Sequence, residues 1–90
     1  MRFDWDPAKA RRNAAQHGVE FTEASGVFLD PFEITIPDPD HSEIEDRWLS
    51  LGSSPARRLL VAGYVERGST IRIIFARRAT RRERATYEEA

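Results

Sequence analysis

Along this chain the spacing of apolar positions shifts from a helical to a strand-like period and back. Asp6 can accept from orphan amides, Pro7 has the φ wanted at a first helical position, alanines follow, and Gly18 supplies a stop. This pattern predicts a helix between Pro7 and His17. Thr22 is a second N-cap candidate, and Glu23-Ala24-Ser25-Gly26-Val27-Phe28 reads as a short helix ending before Asp30-Pro31.

The period then becomes two. Phe32 to Ile36 alternates apolar and polar residues as a half-buried strand does, and Pro37 stops it. The stretch Pro37-Asp38-Pro39-Asp40-His41-Ser42-Glu43 predicts a loop, and Arg47 to Leu51 a second strand broken by Gly52-Ser53-Ser54-Pro55. Leu59 to Val65 is apolar almost throughout, as expected of a strand covered on both faces. Glu66-Arg67-Gly68-Ser69 turns the chain into a fourth strand, Thr70 to Ala76. Strict alternation places Ile71, Ile73 and Phe75 on its core face and Arg72 on the other.

Thr80 and Glu83 have the spacing of a capping box and predict a C-terminal helix. The expected fold is therefore α+β: two N-terminal helices, a four-stranded and mainly antiparallel sheet, and a C-terminal helix. Ninety residues make one domain, 1–90, whose modest core leaves no room for a large internal cavity.

Composition narrows the functional classes. Without cysteine there is neither a disulfide framework nor a thiolate zinc site. The N-terminus lacks the apolar stretch of a signal peptide and the longest apolar run is too short for a bilayer, so a cytoplasmic setting with no membrane is expected. The formal net charge is −1, but it is unevenly placed. Residues 20–46 hold nine acidic and no basic groups, whereas residues 47–90 hold ten basic and four acidic ones. Six arginines fall between Arg72 and Arg84, which points to a polyanion or an acidic partner.

Guanidinium forks suit phosphate oxygens, and Arg72, Arg77, Arg78, Arg81 and Arg84 could surround a phosphodiester from several directions. RNA cleavage without metal needs a base for the 2′-hydroxyl, stabilisation of the pentacoordinate phosphate and a proton for the leaving oxygen. Glu66 and Glu83 are the nearest carboxylates, with His17 and Lys9 further off in sequence, and Tyr87 could stack a base or donate a proton. Each has a plainer reading: Glu83 as the cap, Tyr87 as a core edge, His17 as a cation at a helix C-terminus. Asp38, Asp40, His41 and Glu43 do not match calcium-loop spacing, so a solvated loop is expected and no metal or cofactor. Glycine-rich phosphate loops, G-x-S-x-G and H-E-x-x-H are all missing.

Together, three groups of residues resemble the BrnT family of toxins from bacterial type II toxin–antitoxin modules. They are Phe3-Asp4-Trp5-Asp6-Pro7-Ala8-Lys9 with Asn13 and His17-Gly18-Val19; Asp38-Pro39-Asp40-His41-Ser42; and Ile71-Arg72-Ile73-Ile74 with Ala76 to Arg84 and Tyr87-Glu88. The resemblance implies a RelE-like fold, ribonuclease activity that blocks translation, and a ribbon-helix-helix antitoxin (BrnA-like). It further implies a 2:2 assembly in which only the antitoxin binds operator DNA. It directs attention to Arg77, Arg81, Glu83, Arg84, Lys9 and His17. Three positions depart from the family pattern: Phe75, where a small serine is common, and Gly63-Tyr64, where a bulkier residue and a histidine are often seen. The competing expectation is a non-catalytic module that binds nucleic acid or antitoxin through the arginine-rich surface, with steep salt dependence and no turnover.

Overall fold

A computed structural model describes residues 1–38, 40 and 45–90. Among them five strands form one sheet: β1 (Arg2–Asp4), β2 (Ile34–Pro37), β3 (Trp48–Ser53), β4 (Leu59–Arg67) and β5 (Thr70–Arg78). Their order is β1-β5-β4-β3-β2, antiparallel except that β1 runs parallel to β5. The helices are α1 (Pro7–His17), α2 (Phe21–Ser25) with a 3-10 turn at Gly26–Leu29, and α3 (Arg81–Glu89). The α+β expectation holds, but the sheet has five strands rather than four. β1 is only three residues long, too short to show a period, and its partner lies at the far end of the chain.

Local signals explain the helix ends. The Asp6 carboxylate accepts from the Ala8 amide at 3.1 Å, Pro7 opens α1, and Gly18 closes it at φ 68° with its N–H bonded to Ala14 O. Thr22 is not a cap: α2 begins at Phe21 after Glu20, and the Thr22 carbonyl accepts from Ser25 Oγ within the helix. The α3 start is the predicted capping box, Thr80 with Glu83.

The two faces of the sheet are covered unequally. α1 and α2 pack a main core in which Phe21, Leu60, Ile73 and Val19 are essentially inaccessible, with Trp5 edge-on to Phe21 and Trp48 at its margin. Burial of each such side chain contributes roughly 1.5–3 kcal/mol. Arg58 ties this layer to the sheet, donating to both Glu23 oxygens and to Gly18 O. The opposite face holds a smaller cluster of Leu51, Leu59 and Val61 with Leu49, Phe75 and Tyr87, and among the described residues α3 is the helix that packs on it. No helix of the described residues is long and apolar enough to cross a membrane.

A β-bulge overturns the predicted facing of β5. Gly63 pairs with Phe75 but Tyr64 pairs with Ile73, so Ile74 is an extra residue and the alternation resets after it. Ile71, Ile73 and Ala76 face the main core, while Phe75 turns to the α3 side. There its ring lies across Gly63, where a Cβ would stand 2.1 Å from Cε1. Gly63 thus makes room for a ring on the neighbouring strand, whereas Tyr64 turns to the main core, edge-on to Phe28. Gly63→Ala should cost about 1–2 kcal/mol by forcing the ring off its seat. In a Phe75→Ser background the same change should be nearly neutral, which a double-mutant cycle of denaturant midpoints would measure.

Of the loop predicted at 37–43, Pro37 is the last residue of β2, and Pro39, His41, Ser42 and Glu43 lie outside the described residues. Asp38 is buried rather than solvated, and its amide donates to Arg47 O at 2.9 Å.

Candidate phosphate-binding site

The arginine run is divided by the strand that carries it. Arg72 pairs across the sheet with Val65 and Arg77 with Val61, so about 17 Å of strand separates them. Arg72 is half-buried and its Nη1 donates to the β1 residue Asp4 at 2.6 Å. Its charge is therefore partly matched, at the end of the sheet away from α3. Glu66, expected in a turn, lies within β4 two residues from the Gly68-Ser69 turn and pairs with Ile71. It belongs to the Arg72 end as well, and the fold does not bring it to Arg77.

At the other end the geometry is more constrained. Arg77 Nη1 and Nη2 donate to Glu83 Oε1 and Oε2 at 2.8 and 2.9 Å, a two-pronged pair between β5 and the first turn of α3. Glu83 Oε1 also accepts from the Thr80 amide at 2.8 Å, so one carboxylate caps the helix and orients the guanidinium. The Arg77 side chain stays 31% exposed, which leaves part of its fork accessible to a ligand. Arg78 is on the following residue and points to the opposite side of the strand, where Glu23 lies close enough to feel its charge.

Arg81, Arg82 and Arg84 are exposed on α3 and, with Arg78, form no ion pair among the described residues. Unmatched positive charge is thus concentrated around the start of α3, beside the oriented Arg77. Arg82, Glu83 and Thr86 also form one wall of an apolar groove whose floor is Ile34, Ile36, Leu49, Leu51 and Val61.

These contacts make Glu83 a strong acid. The Arg77 hydrogen bonds, followed by the Thr80 cap, hold its carboxyl down from 4.5 to about 2 against the opposing effect of burial. A carboxylate so stabilised is a poor proton acceptor at neutral pH, and its visible work is to position Arg77. Because the folded value lies below the unfolded one, the contribution is complete above pH 4.5, fades as pH falls toward 2, and is lost below it. After solvent screening it should amount to about 1 kcal/mol. Acid unfolding of the parent protein against Glu83→Gln should show that gap at pH 5 and none near pH 2.

Tyr87 is not available as an RNA contact through its hydroxyl. That hydroxyl donates to Asp30 Oδ2 at 2.5 Å, and the phenol is pushed up to about 12 by the bond and by burial. Asp30 is itself held below the ordinary carboxylate range by the Ser53 and Phe32 amides and by Tyr87, although burial alone would raise it. Tyr87 is the anchor that fastens α3 to the sheet.

Asn13 is the residue that pattern reading undervalued. It is buried, donates from Nδ2 to Val19 O at 3.0 Å and to Ala76 O at 2.8 Å, and accepts on Oδ1 from the Ala76 amide at 3.0 Å. β1 pairs with β5 only as far as Arg72, and the Asn13 amide continues that edge at Ala76. It thereby fixes the residue between Phe75 and Arg77. The available signal was an asparagine inside an alanine-rich helix, a residue type that favours caps and turns over helix interiors. Lys9 and His17, one turn on either side of Asn13, are both exposed. Among the described residues no group of three or more His, Cys, Asp or Glu side chains is placed to hold a metal ion.

Residues 5–83 match the family described as the ribonuclease toxin, BrnT, of type II toxin–antitoxin systems. The crystal structure of the Brucella abortus ribonuclease toxin BrnT superposes with a TM-score of 0.71 and 21% identity, covering 90% of this chain and 99% of that one. At that identity the likeness speaks to the fold alone. A search of curated protein sequences returned no match.

Proposed function

Since the chain belongs to the BrnT family of ribonuclease toxins of type II toxin–antitoxin systems, we propose that it cleaves RNA without a metal ion and thereby arrests translation in the cytoplasm. The observation that carries this reading is the Arg77 guanidinium, oriented by Glu83 yet still accessible, beside Arg81, Arg82 and Arg84, which form no ion pair among the described residues. In the proposed reaction the 2′-hydroxyl loses its proton and attacks the adjacent phosphorus, the 5′-oxygen leaves with a proton, and a 2′,3′-cyclic phosphate remains. Arg77 stabilises the charge that builds on the phosphoryl oxygens, and preorganisation by Glu83 spares it reorientation during the reaction. Arg81 and Arg84 bind flanking phosphates. His17 and Lys9, exposed on α1, belong to the RNA-binding surface in this proposal, and the two protons are exchanged with water.

A type II module implies an antitoxin partner. In this proposal the partner is a ribbon-helix-helix protein of the BrnA kind in a 2:2 complex, operator DNA is contacted only through it, and the fold is kin to RelE.

Purified protein incubated with RNA in excess chelator is expected to yield fragments ending in 2′,3′-cyclic phosphate, and Arg84→Ala to weaken cleavage with the melting temperature retained. Folded protein that binds RNA without cutting it would reject the nuclease reading in favour of a binding module.

A further inference from the structure

We propose that Phe75 is the platform on which one base of the RNA stacks, making it a specificity-determining residue; the inference rests on the ribonuclease reading above. The bulge at Ile74 turns Phe75 out of the main core onto the α3 face, and Gly63 lets its ring lie across the sheet. The ring remains partly exposed, although it packs at the edge of the smaller cluster. Arg77 follows two residues later on the same face, about 7 Å along the strand. A phosphate held by Arg77 therefore leaves its nucleoside within reach of the ring.

Flat aromatic rings on open sheet faces are suited to this task, because every base offers a π-face and the sheet holds the ring still. The cross-strand pairing adds a second reason. A ring seated on a glycine has its position defined from below, so it needs no induced fit to receive a base. Tyr87, the other aromatic near the arginines, has its hydroxyl committed to Asp30. Stacking strength rises with ring area, so the seated base should be a purine.

Two measurements test the proposal on the intact chain. The first is the dissociation constant for short 2′-O-methyl RNAs, which cannot be cut, carrying a purine, a pyrimidine or an abasic site at each position in turn. The second is the cleavage rate on the matching unmodified RNAs. One position is expected at which the parent protein prefers purine to abasic by about tenfold. Phe75→Leu should reduce that preference to near unity with its melting temperature close to the parent value, and Phe75→Trp should restore it. Folded Phe75→Leu with the parent preference intact, or no position of preference in the parent, overturns the proposal. Base-dependent binding without cleavage would instead overturn the nuclease reading, and the uncut RNAs would still decide the stacking.

Discussion

Replacing Asn13 by alanine should lower the melting temperature by about 15 °C, corresponding to roughly 3 kcal/mol in a domain of this size. The side chain makes three hydrogen bonds to backbone groups, all in buried surroundings. Truncation strands the Ala76 amide and carbonyl and the Val19 carbonyl away from solvent, and each unsatisfied group costs about 1–3 kcal/mol. Some of that is recovered if water enters, so the sum of three losses is an upper bound. A domain with only about 5–15 kcal/mol in hand would feel the loss severely. Asn13→Asp should be worse, because a carboxylate would replace the donor that faces two carbonyls. Chemical denaturation of both variants checks the point, and an alanine variant within about 3 °C of the parent would remove Asn13 from its assigned role.

Arg77→Ala should reduce the rate of RNA cleavage by about 10²–10³-fold, the usual consequence of losing one preorganised donor to a developing oxyanion. Stability should fall much less, since the pair with Glu83 is partly exposed. Arg77→Lys should recover little, because a single ammonium cannot span both Glu83 oxygens and still present a fork to phosphate. Glu83→Gln separates two accounts of the site. If Glu83 positions Arg77, the amide keeps one acceptor for the guanidinium and the Thr80 amide, and the loss should be about tenfold. If Glu83 were instead the proton acceptor, Glu83→Gln would match Arg77→Ala and the acidic limb of the pH–rate profile would move with it. Single-turnover rates across pH for the three variants distinguish these outcomes.

Much of the fold could be read from local chemistry. The caps at Asp6 and Thr80, the stop at Gly18 and the apolar run of β4 each act within a few residues, so short-range pattern captures them. The same holds for the α+β class and for the arginine-rich character of the C-terminal region. The positions of individual site residues were less accessible. Thr22 looks like a cap because its type favours one, yet α2 begins a residue earlier, with Phe21 in the main core. Glu66 looks close to the arginines in sequence, but a hairpin carries it to the opposite end of the sheet.

What the sequence determined by itself was the three helical segments, the four strands other than β1, their order, and the concentration of guanidinium groups between Arg72 and Arg84, because propensity, capping and charge are properties of neighbouring residues. Only the tertiary structure decided which of those groups share a site. The β1–β5 pairing joins the two ends of the chain, one inserted residue at Ile74 exchanges the faces of Phe75 and Ala76, and Arg77 meets Glu83 only when β5 and α3 are both in place. Each depends on register between segments far apart or on a single change of strand parity. A period of two cannot report such a change, since shifting it by one residue leaves the pattern intact while sending every later side chain to the other face.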